Sequence, residues 1–178
     1  MDEALQHAAN KIFADTYTKV DSYAKLLLLE DILEKQIYGG HENDADLARR
    51  IREEYPGGAD HEQAQAVAAW GSEVIGAFSR SDLHERIEEV KKHIEGAPEL
   101  VVYAPVAFGL EALRALGGWC RANIDPNVFL EMRVDPGVIG GCSFVWRDKL
   151  YDFSLALRMR AHTKEMAARI ESYLSAAV

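Results

Sequence analysis

The 178-residue sequence is poor in cysteine and has no long apolar run. Its two cysteines, Cys120 and Cys142, are too far apart for a CxxC redox or zinc motif, so we expect two buried thiols in a reducing compartment. Apolar runs such as Leu26–Leu29 are far shorter than the roughly 20 residues that a membrane span needs. The acidic first ten residues lack the apolar segment of a secretion signal. We therefore expect no direct membrane insertion, and any membrane association must come through a partner.

Basic residues are also fewer than acidic residues. The chain has 20 lysines and arginines against 29 acidic residues, which gives a formal net charge of −9. A net negative field repels phosphate backbones, so we expect no nucleic-acid partner. Residues 1–80 carry 15 acids and 8 bases, whereas residues 81–178 carry 14 acids and 12 bases. This uneven charge indicates two units.

The first 80 residues have the apolar spacing of helices separated by polar breaks. From Tyr17 onward, apolar residues recur at helical spacing until Gly39 and Gly40 end the segment. Leu47 and Ile51 lie on one face of a second predicted helix. The alanine-rich segment 63–78 continues the helical pattern with apolar residues up to Phe78, and its small side chains would let helices approach closely.

A further helix begins after Asp82. Asp82 and Glu85 form a variant of the capping box, with Asp where Ser or Thr is usual. Apolar residues then line one face as far as Ile94, and Gly96 with Pro98 ends the helix. We expect this helix to connect two halves of the chain.

Beyond residue 98 the pattern predicts the order β-α-β-β-β-α. Short β-branched segments and period-two alternation indicate strands, and apolar spacing of three and four indicates helices. The last segment has apolar residues at steps of four and three, which predicts a long amphipathic helix with a seam-like face. The predicted elements are a strand at 100–103, a helix at 108–120, a strand at 128–134, hairpin strands at 142–146 and 150–153, and a helix from Leu155 to Tyr173.

Together these patterns predict an α+β fold. An N-terminal all-helical bundle is followed by a small C-terminal α/β unit that has a short sheet with a hairpin and flanking helices. The expected division is a helical bundle at 1–80, a connecting helix at 81–98 and an α+β domain at 99–178.

The sequence VDPGVIGG at residues 134–141 invites comparison with a phosphate-binding loop. Such a loop runs from a strand into a helix and directs backbone N–H groups at the anion. Here the glycines lead into a predicted strand, and no GK[ST] follows. We therefore expect Pro136 and Gly137 to form a turn, and Gly140 and Gly141 to supply positive φ or a close backbone contact.

Catalytic motifs are weakly represented. His-Glu pairs occur at residues 41, 61 and 84, but none has the second histidine four residues later that a zinc protease requires. Ser143, Ser154 and Cys142 lie outside any nucleophile elbow. Asp135 and Asp152 are possible general acids, although Asp152 suits the start of the last helix and Ser154 suits its cap. We expect no catalytic, metal-binding or cofactor-binding site.

The chain from Glu99 to Leu174 resembles the C-terminal part of the delta subunit of F-type ATP synthase, a family that includes the mitochondrial oligomycin-sensitivity-conferring protein. The resemblance rests on VDPGVIGG, a hairpin, the segment DFS at 152–154 and a closing helix, in that order. The motif residues that carry it are Asp135, Pro136, Gly140, Gly141, Asp152 and Ser154.

This resemblance implies a non-catalytic peripheral-stalk, or stator, subunit. The family's helical bundle binds N-terminal helices of the alpha subunits, and its C-terminal domain holds the C-terminal ends of the b subunits. The chain would then be peripheral at the cytoplasmic face of the membrane, through the ATP synthase complex.

Partner binding of this kind needs apolar grooves or seams for helices. The candidate interface residues lie on the helix after Tyr17 and on the last helix, and ordinary core packing is the competing interpretation. A stand-alone α+β enzyme or small-molecule-binding protein remains the alternative function. The candidate residues are Val20, Tyr23, Leu27, Met159, Met166 and Ile170.

Overall fold

The computed structural model describes residues 1–39, 59–78 and 82–176, and its fold is α+β, as predicted. The predicted helix at Leu47 and Ile51 lies outside these ranges. The described helices before the sheet are α1 (Glu3–Asp15), α2 (Lys19–Gly39), α3 (Ala59–Ala68), α4 (Gly71–Phe78) and α5 (Leu83–Glu95). They are followed by β1 (Glu99–Ala104), α6 (Leu110–Asn123), β2 (Phe129–Val134), β3 (Ser143–Trp146), β4 (Lys149–Asp152) and α7 (Leu155–Ala176).

The chain forms two compact units. The first unit comprises Met1–Pro98 together with Cys120–Phe129. The second comprises Glu99–Trp119 and Leu130–Val178. The chain therefore leaves the first unit after α5 and returns to it for ten residues. The predicted division into a bundle at 1–80, a connecting helix at 81–98 and a domain at 99–178 stays a prediction.

Helix α1 opens the first unit and was not singled out by the sequence analysis. The carboxylate of Asp2 caps it by accepting a hydrogen bond of 2.8 Å from the N–H of Leu5. Its buried residues recur at i, i+3, i+4, i+7 and i+8, the spacing of one helix face. These residues are Leu5, Ala8, Ala9, Ile12 and Phe13.

The first unit holds most of the buried apolar side chains of the described residues. Helix α2 places leucines in this core, and α5 lines it with one face at helical spacing. Trp70 and Phe78 are among its largest fully buried side chains. The α5 residues in the core are Leu83, Ile87, Val90 and Ile94.

The alanine-rich segment 63–78 belongs to two helices, α3 and α4, and Gly71 at φ +79° adopts a left-handed conformation at the start of α4. One local prediction in the first unit is wrong, namely the capping of α5 by Asp82. Asp82 precedes α5 but its side chain makes no capping hydrogen bond. Its carboxylate instead accepts a 3.0 Å hydrogen bond from Nε of Arg86, which also donates to the carbonyl of Ala77 at 3.0 Å.

The second unit contains a four-stranded sheet in the order β2-β1-β3-β4. Strands β1 and β3 are antiparallel, with Val102 opposite Phe144, and β3 and β4 form the predicted hairpin. On β1, alternate residues are buried, which leaves Leu100, Val102 and Ala104 beneath one face of the sheet. Among the residues of this unit whose burial the structure describes, few others are fully buried, so the core that they form is small.

The hairpin turn consists of Arg147 and Asp148, both at positive φ (49° and 63°). A two-residue turn with two positive φ values is a type I′ turn, for which Asn-Gly is the preferred sequence. Glycine adopts this region without steric cost, whereas a residue with a Cβ is disfavoured there, aspartate less than most.

Replacing Asp148 by glycine should therefore raise the stability of the second unit by about 0.5–1 kcal/mol. Chemical denaturation followed at this unit measures the effect. Asp148→Ala is the matched control: it removes the same carboxylate but keeps a Cβ at positive φ, and should be neutral or destabilising. Equal stability of the two variants would refute strain relief as the cause.

Candidate partner-binding surface

The first motif segment forms a turn directly after β2. The N–H of Asp135 donates to the carbonyl of Ala104 at 2.8 Å, and its carboxylate accepts from the N–H of Gly137 at 2.8 Å. The N–H of Val138 donates back to the carbonyl of Asp135 at 3.1 Å, which closes a β-turn with Pro136 at its second position. Asp135 and Pro136 thus define how the chain leaves the sheet.

The two glycines of the motif lie against the start of α7. Gly140 and Gly141 have φ values of 66° and 78°, as the sequence predicts. The N–H of Leu155 donates to the carbonyls of Ile139 at 3.0 Å and Gly140 at 2.9 Å. A Cβ on Gly141 would lie 2.5 Å from the backbone oxygen of Phe153, so no side chain fits there.

The second motif segment begins α7. The carboxylate of Asp152 accepts a 2.8 Å hydrogen bond from the N–H of Ser154. The hydroxyl of Ser154, which is buried, accepts from the N–H of Leu157 at 3.3 Å and caps the helix. Gly140, Gly141, Asp152 and Ser154 therefore meet in one place, which we call the helix junction.

The turn at Asp152 has an acid dependence that follows from its hydrogen bonds. Acceptance of the Ser154 N–H, aided by the Ser154 side chain and by the charge of Arg160, lowers the pKa of the Asp152 carboxyl below its ordinary 3.8. Because the folded pKa is lowered, this contribution to stability is present above pH 3.8 and is lost as the pH falls through the folded value.

In Asp152→Asn, the acid-induced shift of the Ser154 amide resonance should disappear, because asparagine keeps an acceptor that does not titrate in this range. Two-dimensional NMR across the acid range measures it. If the Ser154 amide moves with the same midpoint in the variant, another group causes the shift.

The terminal helix α7 is exposed along the part whose side chains are described. Among the candidate interface residues, Met159 is 46% exposed and Ile170 is 57% exposed. Leu155 and Leu157 are also about half exposed, at 49% and 46%. The side chain of Met166 lies outside the described part of the structure. Large exposed apolar side chains on one element are typical of surfaces that bind other proteins.

An aromatic cluster on the hairpin adjoins the start of this helix. The ring of Phe144 stacks on Tyr151, with ring centres 5.0 Å apart, and on Phe153, with ring centres 5.4 Å apart. Tyr151 and Phe153 remain 40% and 50% exposed. This cluster was not predicted, although the pairing of Phe144 with Tyr151 follows from the two-residue turn.

The candidate residues on α2 behave differently from one another. Val20 is 78% exposed and Leu27 is 56% exposed. Tyr23 is half-buried and packs against the core of the first unit. Val20 and Leu27, seven residues apart, are therefore the available apolar positions of this set.

Residues considered for catalysis are engaged in local structure. The carboxylates of Asp135 and Asp152 accept backbone N–H groups in separate turns. In the first unit, Nδ1 of His84 lies 3.0 Å from Oε1 of Glu30, and this hydrogen bond raises the pKa of His84. Within the described ranges, no group of three or more His, Cys, Asp or Glu residues is placed to hold a metal ion.

The first unit also has a shallow cavity of about 250 Å³ beside the end of α5. Its lining combines an aromatic ring, two basic side chains and a short backbone segment. The lining residues are Phe13, Lys92, His93, Gly96, Ala97, Pro98 and Asn127.

Arg121 is a structurally important residue that sequence reasoning missed. Its guanidinium donates to the carbonyls of Phe13, Ala14 and Thr16 at the end of α1, and lies over the ring of Tyr17 at 4.8 Å. Burial lowers the pKa of this guanidinium, yet arginine stays charged, which suits a helix C-terminus. No spacing rule links Arg121 to α1, because its partners lie over 100 residues earlier.

Comparison with known proteins adds no relative, because no protein-family model and no curated protein matches the chain. Among the described helices, none is long and apolar enough to cross a lipid bilayer. The function is therefore inferred from the motif, its geometry and the exposed apolar surface.

Proposed function

We propose that the chain is a non-catalytic peripheral-stalk subunit of F-type ATP synthase. In this role it links N-terminal helices of the alpha subunits in the catalytic head to the C-terminal ends of the membrane-anchored b subunits. It resides at the cytoplasmic face of the membrane through the complex. It resists the torque on the head and requires no cofactor.

The helix junction is the observation that carries the proposal. The resemblance links two segments, VDPGVIGG and DFS, that lie over ten residues apart in the sequence. In the fold, the glycines of the first segment lie against the backbone of the second, and Leu155 donates to both Ile139 and Gly140. The order and spacing of the motif thus have a physical reason, which is to fix the base of α7.

The apolar surface of the second unit supports partner binding on the stalk side. The exposed side chains of α7 and the aromatic cluster follow one another along the chain from Tyr151 to Met159. A unit with a small core of its own and a large apolar surface gains stability when a partner covers that surface. A subunit that holds the ends of other subunits has this property.

The first unit supports the head side of the proposal. It has its own core, built from helices, and it displays Val20 and Leu27 on one face of α2. An apolar stripe on a stable helical unit suits the docking of an amphipathic helix. We assign this face to the alpha subunits.

The alternative is a stand-alone α+β enzyme or small-molecule-binding protein. It would draw Asp135 and Asp152 into a common pocket with a histidine of shifted pKa. The observed turns weigh against it, because each carboxylate already accepts a backbone N–H from its own segment. The cavity beside α5 is the place where a small ligand would favour this alternative.

Affinity purification of the tagged chain from its own cells, with identification of bound proteins, tests the proposal. We expect ATP synthase alpha and b subunits in the eluate. Met159→Ser with Ile170→Ser should remove the b subunit and retain alpha, because both side chains are exposed on α7. Ala161→Ser, also exposed on α7, is the matched control and should retain both. Recovery of the wild-type chain without either subunit would refute the role.

A further inference from the structure

Helix α7 carries a narrow apolar stripe that we call the α7 seam. Its members recur at steps of four, three, four, four and three, so they stay within about one third of the helix circumference. The side chains described on it are about half exposed. The α7 seam consists of Leu155, Met159, His162, Met166, Ile170 and Tyr173.

One edge of the α7 seam has a net positive charge, which comes from two arginines and one glutamate. Arg158 and Arg169 are eleven residues apart, which places them on the same edge about 16 Å from each other. Glu165, between them, is already engaged, since it lies 3.3 Å from Nδ1 of His162 and 4.0 Å from Nη2 of Arg169. Helix α7 as a whole carries four bases and two acids, within a chain of net charge −9. The basic edge is therefore a local feature.

We propose that the α7 seam docks an acidic amphipathic helix of the stalk partner. The apolar side chains of that helix would cover the α7 seam in the manner of a two-stranded coiled coil. Its acidic residues, spaced about eleven apart along one edge, would face Arg158 and Arg169. This inference rests on the proposed function and names the chemistry of the partner segment.

Charge selects against a second copy of this chain as the occupant. Pairing α7 with α7 would bring two helices together that each carry four bases and two acids. Like charges that flank a helix seam destabilise the pair, whereas opposite charges stabilise it and set its register. An acidic helix satisfies both the apolar and the charged parts of the surface.

Charge also disfavours a lipid surface. A basic amphipathic helix binds anionic lipid headgroups through its positive charge. The rest of this chain is strongly acidic, because α7 contributes +2 to a total of −9. Repulsion of the remainder from an anionic membrane opposes binding through α7.

Titration of the full chain with two synthetic peptides tests the inference. Both peptides are amphipathic helices with leucine at seam spacing; one has glutamate along its flanks and the other has lysine. We expect the glutamate peptide to bind at least about tenfold more tightly than the lysine peptide, with affinity that falls as salt rises. Fluorescence anisotropy measures both. Equal affinities, or no binding of the glutamate peptide, would overturn the proposal.

Matched variants locate the binding. Arg158→Glu with Arg169→Glu should weaken binding of the glutamate peptide about tenfold or more. Arg160→Glu changes charge in the same direction but lies about 120° from the centre of the α7 seam, and should have little effect. If Arg160→Glu weakens binding as much as the double variant does, net charge and not the edge is responsible, and the proposal fails.

Two further measurements separate the occupants. Sedimentation that shows a dimer lost in Met159→Ser would assign the α7 seam to a second copy. Flotation with vesicles of phosphatidylserine and phosphatidylcholine that depends on Arg158 and Arg169 would assign it to lipid. Either result overturns the acidic-helix proposal.

The proposed function can fail separately. If the chain binds the glutamate peptide selectively but recovers no ATP synthase subunit, the docking chemistry stands and the stator role is wrong. If the b subunit is still recovered when Arg158 and Arg169 are replaced, the stator role stands and the proposed docking chemistry is wrong.

Discussion

Replacing Gly141 by alanine should unfold the second unit at concentrations of denaturant that leave the first unit folded. Two costs combine at this position. The residue lies at φ +78°, where a side chain costs about 1–2 kcal/mol. The added Cβ would also lie 2.5 Å from the backbone oxygen of Phe153, and a backbone oxygen moves only if the helix junction moves.

We expect a total destabilisation of at least about 3 kcal/mol, which is large for a single substitution. The second unit has a small margin of stability, because few of the apolar side chains described in it are fully buried. Gly141→Val should act in the same direction and more strongly, since a branched side chain tolerates positive φ poorly. Gly140→Val should be damaging too, because a Cβ there would lie 3.2 Å from Cβ of Leu155.

The three tryptophans allow each unit to be followed separately. Trp70 lies in the first unit, and Trp119 and Trp146 lie in the second. With 5-fluorotryptophan in place of tryptophan, ¹⁹F NMR in urea gives separate unfolding curves for these positions. In Gly141→Ala the Trp146 curve should move to lower urea while the Trp70 curve stays in place.

Two other glycines separate the two costs. Gly71 has φ +79° and open space around its Cβ position, so Gly71→Ala should incur the conformational cost alone, in the first unit. Gly118 lies inside α6 with open space and no positive φ, so Gly118→Ala should be neutral or stabilising. If Gly141→Ala lowers the free energy of unfolding no more than Gly71→Ala does, the close contact at the helix junction does not contribute to the destabilisation.

Replacing Arg121 by methionine should destabilise the first unit by about 3 kcal/mol, since charged hydrogen bonds to at least two carbonyls are lost. Methionine keeps the apolar stem but leaves the carbonyls at the end of α1 without this donor. The stability of Arg121→Lys should lie between those of the wild type and Arg121→Met, because one ammonium cannot reproduce the several directed N–H groups of a guanidinium.

Arg114 supplies the matched control for this prediction. It is an exposed arginine on the same helix α6, and Arg114→Met should change stability by less than about 0.5 kcal/mol. The Trp70 unfolding curve follows the first unit, which contains Arg121, and the Trp119 and Trp146 curves follow the second unit, which contains Arg114. A Trp70 curve that is no more shifted in Arg121→Met than in Arg114→Met would contradict the assigned role of Arg121.

Much of the second unit could be predicted from sequence, because its signals are local. Alternation marked β2, the residues after Gly141 marked the hairpin, and spacing of three and four marked α7. The positive φ of Gly140 and Gly141 also followed from their position between strands. Each of these features depends on neighbours within a few residues.

The features that could not be predicted depend on distant partners. Asp82 has the sequence of a capping residue, but Arg86 competes for its carboxylate and also reaches Asp2 at 2.6 Å. Arg121 joins residues 120–129 to α1 through the fold alone. The return of the chain to the first unit leaves no periodic signal. The exposure of the described α7 side chains likewise depends on tertiary packing, which spacing does not reveal.

Native mass spectrometry of a reconstituted mixture tests the stator role most directly. The chain is mixed with the purified catalytic head and the soluble part of the b subunit from the same organism. We predict one complex that contains all three components and loses only the b subunit when Met159 and Ile170 are replaced by serine. A spectrum that shows the head bound to the b subunit in a complex that lacks this chain would contradict the stator role.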